Sequence, residues 1–72
     1  MEICNNKETG HTFIHLEAQS NDQALMITPQ GTVKVLEYDL FTEPTEVDES
    51  EVLAKGKITR KQFNIFNQYC RN

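Results

Sequence analysis

Tryptophan is missing from this chain, glycine occurs three times, proline twice and cysteine twice. So little glycine and proline excludes collagen-like and low-complexity architectures. The glycines, Gly10, Gly31 and Gly56, stand alone, so no glycine-rich phosphate loop exists. Two cysteines are too few for a disulfide-stapled scaffold. The longest apolar run, Ala24 to Ile27, is four residues, against the roughly 20 that a membrane-spanning helix needs. Behind Met1 stand Glu2 and a polar stretch, with neither a basic leader nor an apolar core, so no export signal and no membrane partner are expected. The protein is expected to be cytoplasmic, with Cys4 and Cys70 as free thiols rather than a clasp.

What is present is ordinary globular material: 72 residues, 38% hydrophobic and 25% charged. A chain of this length makes one domain with a small core, for which a partner is a natural source of added stability. Net charge is −4, and its distribution is uneven. All eleven acids lie between Glu2 and Glu51, and only Lys7 and Lys34 oppose them in the first 54 residues. The last eighteen residues hold Lys55, Lys57, Arg60, Lys61 and Arg71 and no acid. Such asymmetry is either internal, the basic segment folding over the acidic one, or external, each addressing a different partner.

Residues 1–10 show no periodicity and read as a flexible arm ahead of a single small domain, 11–72. "TFIHLEA" alternates and predicts a strand over about 12–18; "QALMIT", after the turn-forming "SND", predicts another over 23–28. In "TPQG", Pro29 suits a type I turn and Gly31 the left-handed position of an adjoining bulge. A third strand, about 32–38, follows with Val33 and Val35 on one face. Residues 39–47, interrupted by Pro44, read as an acidic connector anchored by Leu40, Phe41 and Val47. Asp48 caps a helix over about 49–55, with Glu51 and Lys55 paired at i,i+4 and Gly56 ending it. Thr59 and Gln62 form a second capping box that opens a helix over about 60–70. The expected fold is α+β: a three-stranded antiparallel β-meander followed by a C-terminal helical hairpin packed on one sheet face.

Within that hairpin, Leu53, Gly56, Ile58, Thr59 and Phe63 follow a pattern of leucine, glycine, Ile-Thr and a phenylalanine four residues after the threonine. Residues 53–63 thereby resemble the helical unit of the short C-terminal domain family often called SHOCT, with Gln62 where that family usually has an acid. The resemblance implies an oligomerisation or tethering module rather than an enzyme.

No catalytic constellation is expected. Ser20 and Ser50 sit in turn and cap contexts without a neighbouring histidine. Cys4, His11, His15 and Cys70 have the atom types of a zinc site but lack a tight Cys-x-x-Cys anchor. The acidic connector lacks the spacing and glycine of a calcium loop. Neither metal nor cofactor is expected. On the last helix, Phe63, Phe66 and Cys70 form one apolar stripe, read as facing the sheet, and Ile65 and Tyr69 a second beside it. Ile65 and Tyr69 are therefore the candidate partner-binding residues of a small non-enzymatic protein–protein interaction or regulatory module, with self-association through the last helix as one mode. The alternative is a nucleic-acid or anion site at the start of that helix, formed by Lys57, Thr59, Arg60 and Lys61. An acidic chain without aromatics among its cations makes nucleic acid the weaker expectation.

Overall fold

The computed structural model describes residues 1–71. Five strands, β1 (Glu2–Asn5), β2 (Thr12–Ala18), β3 (Gln23–Ile27), β4 (Val33–Glu37) and β5 (Thr45–Glu46), form one antiparallel sheet in the order β4-β3-β2-β1-β5. Two helices follow, α1 (Glu49–Ala54) and α2 (Arg60–Arg71). This corrects the expected three-stranded meander with a helical hairpin: the sheet has five strands, and α1, at six residues, is a short turn of helix beside one long helix. The segment expected to be a loose arm contains β1, which pairs with β2 from Glu2 opposite His15 to Asn5 opposite Thr12. Its two apolar residues serve opposite faces, Ile3 in one buried cluster and Cys4 in the other. Both faces of β1 being covered, the polar–apolar alternation that marks a half-exposed strand is absent. The connector contributes β5, whose Glu46 pairs with Glu2 and Thr45 with Ile3. Pro44 just precedes it, a residue an edge position tolerates.

Local chemistry sets the joints. The Gly31 N–H donates to Thr28 O at 2.8 Å, closing the β3–β4 turn, and Gly31 has φ 85°. In β2 the register shifts between His15 and Glu17, so that Glu17 lies opposite Leu25. The bulge keeps Glu17 on the face that Leu25 and Ile27 share. Helix α1 starts on Asp48, whose carboxylate accepts the Glu51 N–H. It ends in a Schellman arrangement at Gly56 (φ 72°), with Lys57 N–H donating to Val52 O and Gly56 N–H to Leu53 O.

A cluster lies on each face of the sheet. Under the helices, Ile3, Ile14, Ile27, Val52 and Ile58 are buried, with Phe63, Ile65 and Phe66 of α2 packed against them. On the other face, Cys4, Ala24, Met26 and Phe41 are buried beneath Phe13, Leu36 and Tyr38. There the Phe13 and Phe41 rings meet edge to face at 4.8 Å.

Candidate functional site

Gln62 decides where α2 sits. It is the most deeply buried polar side chain described, 1% exposed, and both its amide group and its carbonyl oxygen are hydrogen-bonded. Its Oε1 accepts the Thr59 N–H at 2.9 Å, completing the capping box with the Gln62 N–H, which donates to Thr59 Oγ1. Its Nε2 donates to Thr12 O at 2.9 Å and Ile27 O at 3.3 Å, at the adjoining ends of β2 and β3. The Thr59 hydroxyl donates to Pro29 O. The start of α2 is thereby tied over β2 and β3, with Lys61 so close to Gly31 that a Cβ there would lie 3.1 Å from Lys61 Cβ. At the far end Glu17 interacts with the Tyr69 hydroxyl and raises the Tyr69 pKa, desolvation adding to the effect.

This placement leaves the outer strand bare. Val33 and Val35 lie on the helix-side face of β4, opposite Ile27 and Leu25, yet they are 40% and 48% exposed. Tyr69, at 43%, is exposed on the same side. A groove of about 360 Å³ lies elsewhere, around Tyr38 and Pro44; the one flanking α2 is about 290 Å³ and is lined by Gln30, Gly31, Lys61, Asn64, Ile65 and Gln68. The edge itself is open. Thr28 N–H donates to Thr32 O and Tyr38 N–H to Asp22 O. By antiparallel alternation Lys34 and Leu36 also bond inward, which turns the N–H and C=O of Val33, Val35 and Glu37 outward from the sheet.

Of the candidate partner residues, Ile65 is half-buried against the core margin and also lines the groove, whereas Tyr69 is exposed. Phe63 and Phe66 pack on the cluster under the helices, but Cys70, read as part of the same stripe, is exposed. The candidate anion residues do not converge. Lys57 lines a groove with Glu46, Asp48 and Glu51, Thr59 is committed to Gln62 and Pro29, and Lys61 sits against Gly31. In the basic segment Lys55 pairs with Glu51 at 2.6 Å, and among the described residues Arg60 and Lys61 form no ion pair.

Sequence reasoning missed a second polar cluster. His15 is held between Glu2 (Nδ1 to Oε1, 3.0 Å) and Tyr38 (Nε2 to Oη, 2.7 Å). The carboxylate can only accept, so Nδ1 carries a proton, and Nε2 is engaged by the Tyr38 hydroxyl. This bridge ties β1, β2 and the turn after β4 together and leaves His15 no free ligand nitrogen. Cys4, donating to Met26 Sδ at 3.7 Å, is buried, and burial pushes its pKa up to about 11. Among the described residues no group of three or more His, Cys, Asp or Glu could hold a metal ion, and no helix is long and apolar enough to cross a membrane. Comparison with protein families, with curated proteins and with solved structures finds no match.

Proposed function

We propose that this protein is a small non-enzymatic protein–protein interaction or regulatory module whose binding surface is the strip between α2 and the open edge of β4, acting in the cytoplasm. One observation carries the reading: Val33 and Val35 are half exposed on the face that α2 covers elsewhere, the side of the sheet that also carries the Ile65 groove and the exposed Tyr69. Apolar side chains on an edge strand with outward backbone donors and acceptors favour an added strand. Tyr69 suits the rim, its ring offering contact area while its hydroxyl stays polar. The resemblance of residues 53–63 to the SHOCT unit points the same way, toward tethering or oligomerisation. The anion or nucleic-acid alternative has less support, because Thr59 is committed within the fold and Lys57 faces acids.

A Val35→Asp, Tyr69→Ser double variant tests the surface without touching the core. Proteins captured from the native host by the wild type should be lost by the variant, with melting temperatures alike. Identical capture by both refutes the surface. A salt-sensitive mobility shift with DNA or RNA would instead promote the anion alternative.

A further inference from the structure

We propose that the strand β4 accepts is β4 of a second copy, paired antiparallel about a two-fold axis at Val35; this rests on the interaction surface argued above. A two-fold axis perpendicular to the sheet keeps both α2 helices on one side, so even-numbered residues meet even and odd meet odd across the seam. The outward N–H and C=O groups belong to Val33, Val35 and Glu37, which restricts hydrogen-bonded pairs to these three. Centring on Val35 uses all of them: Val33 opposite the partner's Glu37, Val35 opposite the partner's Val35, and Glu37 opposite the partner's Val33. At two bonds per pair, about six form. Centring on Lys34 or on Leu36 retains two pairs, and the Lys34 centre sets Lys34 directly against its own copy, which like-charge repulsion disfavours.

Charge complementarity favours the same arrangement. Lys61 sits beside Gly31, at the Val33 end of the strand, and forms no ion pair among the described residues. The acids Glu37 and Asp39 stand at the other end. The two-fold axis brings the Lys61 end of each copy to the Glu37 and Asp39 end of its partner. Lysine on an edge strand commonly guards against pairing. Lys34, however, lies on the face away from α2 and falls opposite the partner's Leu36.

Cysteine crosslinking reads the register directly, in a Cys70→Ser background because Cys70 is exposed. Hydrogen-bonded antiparallel pairs have Cα atoms about 5.5 Å apart, inside the range disulfides span. Val35→Cys should therefore crosslink to a dimer on mild oxidation. Lys34→Cys, diagonal to its copy at roughly 8 Å, should do so about ten-fold more slowly or not at all. In parallel, the wild type should sediment as a dimer, and Val35→Pro as a monomer, since that N–H points away from β3 and an edge proline spares the internal ladder. Should Val35→Pro unfold, the cysteine pair still decides. A wild type that is monomeric at several hundred micromolar, or Lys34→Cys crosslinking as fast as Val35→Cys, overturns self-pairing. If host capture still depends on Val35 and Tyr69 in that event, the self-pairing fails alone and the surface reading stands.

Discussion

The two edges of the sheet are finished differently. At one end β5 is two residues long, directly follows Pro44 and presents the exposed Glu46. Short length, proline and charge are the usual means by which an edge is kept from pairing with another chain. At the other end β4 runs five residues with two half-exposed valines on its helix-side face. The contrast teaches that the bare valines of this edge arise from where Gln62 pins α2. A helix over β2 and β3 shields Ile14 and Ile27 completely and stops short of Val33 and Val35.

Releasing that pin is the strongest way to break the contrast. Gln62→Glu sets a carboxylate against the Thr12 and Ile27 carbonyls and should cost about 3–5 kcal/mol, enough to undock α2. The introduced carboxyl has its pKa raised in the folded state, so its protonated form restores stability at low pH and the loss grows as pH rises through that value. Thermal melts of variant and wild type between pH 4 and 8 check both. Next in size, Ile3→Ala beside the closed edge should cost about 2–4 kcal/mol. Val35→Ala at the open edge should change monomer stability by less than about 0.5 kcal/mol. Equal losses at the two sites in urea titrations would show the edges to be alike.

Two further effects depend on pH. Burial raises the Cys4 pKa from 9.0 to about 11. A raised folded-state pKa gives stability that is whole below about 9 and lost as pH climbs toward 11, because the unfolded thiol ionises first. The alkaline decline in melting temperature should be shallower for Cys4→Ala, and Cys70 should react with thiol reagents long before Cys4. Asp48 behaves oppositely. The Ser50 hydroxyl first, then the Glu51 amide, hold its pKa down. Its contribution is present above the ordinary carboxylate range and fades as pH falls through the lowered value. Asp48→Asn keeps a capping side chain but should remove that part of the acid decline.

Features written in neighbouring residues were legible in the sequence: the strand ranges around Phe13, Leu25 and Val35, the Pro29–Gly31 turn, the Asp48 cap, the Gly56 stop and the Thr59–Gln62 box. Those that depend on distant partners were not. Ile3 and Cys4 carry no periodicity because each serves a different cluster, and β5 is too short to show a pattern. The α2 half of the candidate surface could be seen as the Ile65–Tyr69 stripe. The β4 half could not, since Val33 and Val35 alternate like any core-facing strand and only the placement of α2 leaves them bare.

The Gln62 anchor also implies an order of events in folding. Its capping box is local and can form as soon as residues 59–62 turn, but Thr12 and Ile27 lie 50 and 35 residues away along the chain. The two carbonyls come within reach of one side chain only after β2 and β3 have paired. The helix can therefore nucleate before it docks, whereas docking requires closure of the long loops that separate them. An α2 that has not docked leaves the helix-side face of the sheet uncovered, and it is in that state that the chain is most exposed to misassociation.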